Sequence, residues 1–297
     1  MIDFRFKTFL TLCGTKSYTK AAQKLNITQP AVTQHIKYLE EKYDTKLFKY
    51  SGKILELTPE GELLKDIARS IEVDSEKVYR ILKDKKENIK RIKFGATLTI
   101  GEYMMPELIE KYMDDYPEAK VTMIVENTHR LLHMLREGHI DFAFIEGYFN
   151  KLDYNYKMFS KEEFVVVCSP QNHLAGKNVI LEQILNENII IREQGSGTRD
   201  IFETTLYEHN MEVAAFRNVT EIGNINVIKT LVEKNLGVTF IYKKAVQKEL
   251  AEGTLSEIYV EDFKALREFN FVTLKNSICP SEYGEFLNYY NKIKKNI

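Results

Sequence analysis

An α/β protein with an all-α N-terminal part is the fold class this 297-residue sequence predicts, on three observations. The first 58 residues hold three short helical patterns and a turn-rich apolar pair, and a capped stretch then repeats apolar residues every seven positions. From residue 89 onward, short apolar strands alternate with helical segments. The expected boundaries are 1–58, 59–88, 89–162 together with 267–297, and 163–266.

Phe6, Phe9, Leu10 and Cys13 recur at helical spacing until Gly14 breaks the pattern. Ser17 offers an N-cap for a second, short helix, whose small Ala21 and Ala22 admit a close neighbour beside Leu25. Asn26 and Ile27 make a turn. Thr28 caps a third helix with Pro30 in its first turn, where a missing N–H costs little. Val32, Ile36, Leu39 and Tyr43 are spaced to face inward, which leaves Gln29, Thr33, Gln34 and Lys37 pointing elsewhere. Such side chains can hydrogen-bond to base edges and phosphates, although on one isolated helix a solvated polar face is the simpler reading.

The string from Phe6 to Gly61 reverses that judgement. Its stretch SYTKAAQKLNITQPAVTQHIKYLEEKYDTKLF and its closing LTPEG at Leu57 to Gly61 resemble the N-terminal domain of the LysR family of transcription regulators nearly position by position. The resemblance implies a winged helix-turn-helix that binds double-stranded DNA, with the helix opening at Thr28 in the major groove. It assigns Gln29, Pro30, Thr33, Gln34 and Lys37 to the groove, and it makes the hairpin Lys49 to Leu57 around Ser51-Gly52-Lys53 the wing, with Lys53 on phosphate. One departure is visible: Tyr50 stands where the family usually has arginine, which shifts phosphate contact toward Lys49 and Lys53.

Thr58, Pro59 and Glu60 form a strong helix start, through a capping hydroxyl, a proline-fixed first turn and a carboxylate at the positive end of the dipole. Leu57, Leu64, Ile71 and Val78 then recur every seven residues, with Ile67 and Ile81 offset and Asp74 interrupting. Packing on its own domain is one way to cover this stripe. The LysR resemblance implies another, in which linker helices pair as a homodimer, with a tetramer expected beyond it, and hold two DNA-binding domains at the spacing of an interrupted dyad-symmetric promoter site. RNA polymerase is a further candidate partner. The charged run Lys83 to Glu87 is the expected hinge.

Charge divides the same way. Residues 1–93 carry 20 Lys and Arg against 13 Asp and Glu, and the remainder carries 22 against 30, an asymmetry that the net charge of -1 conceals. A basic segment attracts polyphosphate through counterion release, which the acidic remainder would oppose.

In the C-terminal part, Arg91 to Thr97, Lys120 to Glu126 and Ile140 to Ile145 read as strands, separated by helical stretches from Thr99 to Tyr116 and Thr128 to Gly138. A second series runs from Phe164 through Ile189-Ile190-Ile191 to Val238–Ile241. Glu268 to Leu274 and a helix from about Pro280 return to the first lobe. This arrangement resembles the LysR effector domain, two Rossmann-like α/β lobes of periplasmic-binding-protein type, so the resemblance extends over essentially the whole chain. FGATLTIGEYMMP (Phe94 to Pro106) and REQGSGTR (Arg192 to Arg199) carry it best, and the latter resembles the branch associated with sulfur and related nutrient metabolism.

Both motifs lie where a strand gives way to a helix, where free N–H groups favour small anions. Thr97 and Thr99 from the first lobe, with Ser196, Gly197 and Thr198 from the second, are expected to meet around a small-molecule effector, and Asn224 to cap a helix facing the same cleft. Helix capping alone is the alternative for Thr99, Ser196 and Thr198. Glu146, ending the third strand, would repel a bare dianion as a carboxylate, which points to an effector bearing both cation and anion.

No apolar run approaches the ~20 residues that span a bilayer, and Met1, Ile2, Asp3, Phe4 and Arg5 lack a signal-peptide pattern, so a cytoplasmic protein without membrane contact is expected. Cys13, Cys168 and Cys279 are too far apart for a disulfide framework or a metal pair, and a thiol switch has no second cysteine near in sequence. Phosphate-binding glycine motifs are absent, and Gln194-Gly195-Ser196-Gly197 is not a nucleophile elbow. Arg130, between His129 and His133, stands where a zinc protease has glutamate. The expectation is a regulator with no catalytic residues, metal or cofactor. The alternative is a small-molecule-binding protein or enzyme with no role on DNA.

Overall fold

The computed structural model describes residues 3–261, 263, 265–275 and 281–295. Two compact units divide near Asn88 and Ile89.

The N-terminal unit runs α1 (Phe4–Thr15), α2 (Tyr18–Leu25), α3 (Gln29–Tyr43), β1 (Phe48–Ser51), β2 (Ile54–Leu57) and α4 (Pro59–Lys86). Each expected cap is made: the hydroxyls of Ser17, Thr28 and Thr58 accept from the N–H groups of Lys20, Ala31 and Gly61. Phe9, Leu12, Ala21, Ala22, Val32, Ile36, Leu39, Leu47, Leu55 and Ala68 form the core. Tyr43 departs from its expected place in the inward stripe and is 44% exposed. The chain turns left-handed at Asp44 (φ 48°), so the fourth member of the stripe is the last residue of the helix, past the core.

Along α4 the expected Ile67, Ile71 and Val78 do lie on an exposed apolar seam, but its first members differ. Leu57 and Leu64 are half-buried against the core of their own unit. Leu63, Ile67, Ile71, Val78 and Leu82 are instead exposed. The heptad count placed Leu64 on the outward seam because it cannot register that the first turns of α4 already pack on α1.

The C-terminal unit continues with β3 (Arg91–Ala96), α5 (Leu98–Tyr103), α6 (Met105–Asp115), β4 (Lys120–Val125), α7 (Thr128–Arg136), β5 (Phe142–Ile145), β6 (Tyr154–Cys168), β7 (Asn178–Val179), α8 (Leu181–Ile184) and β8 (Asn188–Ile191). It ends with α9 (Gly197–Glu208), a 3-10 turn (Val213–Ala215), β9 (Asn218–Glu221), α10 (Ile225–Glu233), β10 (Thr239–Tyr242), α11 (Lys243–Glu252), β11 (Ser256–Val260), β12 (Ala265–Leu274) and α12 (Ser281–Lys295). No helix among the described residues is long and apolar enough to cross a membrane. Pro280 and Cys279 lie outside the described residues.

Two lobes share one sheet of eight strands in the order β4-β3-β5-β12-β6-β11-β7, with β10 also on β6. β8 and β9 pair separately, in parallel, and an Ile189–Val238 bridge links β8 to the segment entering β10. β6 starts ten residues before the expected Phe164, and β12 pairs with it antiparallel from Ala265↔Phe164 to Leu274↔Tyr154, with one register shift between Phe269 and Asn270. This two-stranded ladder is the passage between lobes. The single helix expected over Thr99 to Tyr116 is broken at Met104, because Pro106 at the start of α6 cannot donate back into a preceding turn. Stacked Phe94 and Phe142 (5.3 Å between ring centroids), with Phe144, Phe269 and Phe286, fill the main core.

Candidate functional site

On the N-terminal unit, burial of Val32, Ile36 and Leu39 fixes the rotation of α3. Gln29, Pro30, Thr33, Gln34 and Lys37 are thereby all exposed. Thr33 also donates to the Gln29 carbonyl (3.2 Å), and Lys37 pairs loosely with Glu41 (3.5 Å). At the tip of the β1–β2 hairpin, Gly52 takes φ 63°, a value that suits glycine, and Lys53 follows it into solvent. Lys49 and Tyr50 are exposed on β1. The hairpin is fixed to the helices by Glu40, which accepts from the Leu47 N–H (3.0 Å), and by close approach of α4, where a Cβ on Gly61 would stand 2.1 Å from the Leu47 carbonyl oxygen.

In the C-terminal unit, three helices begin around the end of β5. Thr97, the N-cap of α5, donates its N–H to the Phe144 carbonyl (3.0 Å). Thr128, opening α7, donates its hydroxyl to the Glu146 carbonyl (2.7 Å). At α9, Thr198 donates its hydroxyl to Glu146 Oε1 (2.9 Å). Gly197 passes so close that a Cβ there would lie 2.4 Å from the Glu146 carbonyl oxygen. Thr97, Thr99, Glu146, Ser196, Gly197 and Thr198 are thus brought together. Asn224 is exposed and spends its side-chain oxygen on the Val227 N–H (3.0 Å), capping α10.

Capping does not account for the cluster. The side chains of Thr97 and Ser196 make no cap hydrogen bond, although both residues stand at N-cap positions. Thr97 Oγ1, Thr99 Oγ1, Ser196 Oγ and Glu146 Oε2 are buried with no hydrogen-bond partner among the described residues. An unsatisfied buried polar atom costs about 1–3 kcal/mol, and four of them stand together here.

Two neighbours escaped the sequence reading. Thr128 obeys the same strand-to-helix rule as Thr99 and could have been found by it. Arg192 is buried, its guanidinium held by the Glu193 carboxylate (2.8 and 2.9 Å) while Nη1 has no partner among the described residues.

Burial lifts the Glu146 carboxyl to about 7, against the opposing pull of the Arg192 charge and the Thr198 hydroxyl. This revises the expectation that a full negative charge there selects the effector. A group near half-protonation at neutral pH can donate as well as accept. Cys168 is buried, and burial raises its thiol to about 12, far from a reactive thiolate; Cys13 is raised likewise.

The described geometry is that of an exposed polar helix face beside a wing, and of a buried polar nest in an α/β unit. Two family models match in the same order: the bacterial regulatory helix-turn-helix of the lysR family over residues 5–62, and the LysR substrate binding domain over residues 85–291. The chain belongs to the LysR family. An HTH-type transcriptional regulator of Methanocaldococcus jannaschii is 30% identical over 292 residues, covering 97% of this chain and 98% of its own. The regulator CysL of Bacillus subtilis is 28% identical, covering 90% and 89%.

Solved structures share the fold. The Synechocystis CcmR regulatory domain in complex with 2-PG superposes with a TM-score of 0.64 at 24% identity, over 70% of this chain and 99% of that one. Full-length BenM superposes with a TM-score of 0.60 at 20% identity, over 100% and 97%. This LysR-type protein is accordingly a DNA-binding transcription regulator with a small-molecule effector domain.

Proposed function

We propose that the exposed face of α3 reads base edges in the major groove through Gln29, Thr33 and Gln34, with Pro30 against the groove wall and Lys37, Lys49 and Lys53 on phosphates. The exposed α4 seam of Leu63, Ile67, Ile71, Val78 and Leu82 is covered by a second copy of the chain. The dimer, paired further into a tetramer, spans an interrupted dyad-symmetric site. Such a protein works in the cytoplasm, where the chromosome is, touches RNA polymerase at its promoter and performs no catalysis of its own.

The effector is a small anionic or zwitterionic metabolite bound at Thr97, Thr99, Glu146, Ser196, Gly197 and Thr198, with Thr128 in support. The observation that carries this reading is the group of buried oxygens, unpartnered among the described residues, at the mouths of α5 and α9 and on Glu146 after β5. Hydroxyls and helix N-termini supply donors to an oxyanion, and the Glu146 carboxyl accepts a ligand N–H or O–H, or donates when protonated. Asn224 is left to its cap.

Fluorescence anisotropy with the chain's own upstream DNA tests this directly, with and without sulfate, sulfite, acetylserine and amino acids. Salt-sensitive binding that one of these compounds alters, and that Thr99→Val with Ser196→Ala no longer lets it alter, is the expected result. A monomer without promoter affinity at low salt would end the proposal.

A further inference from the structure

A second chamber lies beside the β6–β12 ladder, in the C-terminal unit. It has a volume of about 330 Å³ and is lined by Gly147–Phe149 after β5, Lys151, Lys161 on β6, Ile201 on α9, and Leu266–Glu268 with Asn270 on β12. None of the hydroxyls described above, nor Glu146, lines it. Its size is at the lower end of the roughly 300–1,000 Å³ typical of small-molecule pockets.

Charge and hydrogen bonding set its chemistry. Lys151, Lys161 and Arg267 face a single carboxylate, Glu268, which Lys161 meets at 3.9 Å. Lys151 lies over the Tyr156 ring (4.6 Å). Arg267 donates to the Thr205 hydroxyl (3.3 Å), yet its Nε is buried without a partner among the described residues. Asn270 is 3% exposed, gives its amide N–H to the Glu268 carbonyl (3.3 Å), and keeps an Oδ1 with no partner among the described residues. That oxygen is orphaned where the ladder register shifts, between Phe269 and Asn270.

We infer that this chamber is a second ligand site, for a small metabolite bearing a carboxylate or phosphate next to a hydroxyl. The oxyanion takes the Arg267 Nε–H and the Lys161 and Lys151 ammonium groups, and the hydroxyl donates to Asn270 Oδ1. A molecule held there touches the loop after β5, α9 and both strands of the ladder, so it bears on the geometry of the lobes without entering the hydroxyl cluster.

Isothermal titration calorimetry of the full-length chain with malate, sn-glycerol 3-phosphate and inorganic phosphate tests the site. At least one organic probe should bind. Its affinity should fall roughly tenfold in Lys161→Gln and again in Arg267→Gln, and stay unchanged in Thr198→Val. Preference for malate or for glycerol phosphate assigns the oxyanion as carboxylate or phosphate, and the probe that binds should exceed inorganic phosphate, which lacks the carbon-borne hydroxyl. Lys161 is exposed, so its variant tests the site even if Arg267→Gln fails to fold. Absence of binding at millimolar probe, indifference to Lys161→Gln, or loss in Thr198→Val overturns the inference, and the last result returns the ligand to the hydroxyl cluster.

Discussion

Gly147 and Gly197 meet backbone to backbone. A Cβ on Gly147 would lie 2.5 Å from the Gly197 Cα, and one on Gly197 would lie 2.7 Å from the Thr128 hydroxyl. Gly147 also holds φ 85°. The approach presses the start of α9 onto the end of β5 and so places Thr198 on Glu146.

Gly197→Ala should therefore destabilise the C-terminal unit by about 1–3 kcal/mol, the usual cost of forcing a methyl into a packed site. Urea unfolding checks it. An unchanged midpoint would show that the helix start can retreat without penalty.

Glu146 gives the protein a pH dependence of known sign. Its carboxyl, ordinarily near 4.5, is raised to about 7 in the folded chain. Below 4.5 it is protonated in both states and contributes no difference. As pH rises from there to 7, only the unfolded chain releases its proton, so stability declines, by a total on the order of 3 kcal/mol. Above 7 the contribution is constant. Glu146→Gln should lack this decline, seen as a gain over the parent protein that grows between pH 5 and 7 in thermal unfolding.

Adjacent leucines on α4 should behave oppositely. Leu63→Asp places a charge on the exposed seam and should shift sedimentation toward monomer with the fold intact. Leu64→Ala removes a half-buried contact to the N-terminal core and should cost about 1–2 kcal/mol of stability without changing the oligomer. A monomer from Leu64→Ala alone would put the heptad register back where the sequence placed it.

On DNA, Lys53→Ala should weaken binding to all sequences alike and lower the salt-dependence slope by about 1. Gln34→Ala should cost about 1–3 kcal/mol on the preferred site and little elsewhere. Anisotropy titrations at several salt concentrations separate the two, and equal loss on random DNA from Gln34→Ala would move that side chain from bases to backbone.

What the sequence disclosed was local. Caps at Ser17, Thr28 and Thr58, the inward stripe of α3 and the Gly52 turn all depend on neighbours within a few positions, and each is found where spacing put it. Tyr43 and Leu64 were misjudged because periodicity carries no account of where a helix ends or which turn another helix already covers. The first ten residues of β6, YNYKMFSKEE, alternate too weakly to read as a strand, since their pairing with β12 joins positions about a hundred residues apart. Thr97, Thr99, Ser196 and Thr198 were legible as helix-mouth hydroxyls. The lifted carboxyl of Glu146 was not, because desolvation belongs to the folded surroundings and not to the glutamate.

Both connections between the lobes are strands bonded to each other, so neither lobe can swing as a body on a loose tether. Relative motion has to be absorbed as twist along β6 and β12. Compliance is concentrated where the ladder slips by one residue at Phe269 and Asn270, opposite Ser160 and Met158. A twist of one lobe against the other therefore meets its least resistance at that irregular rung.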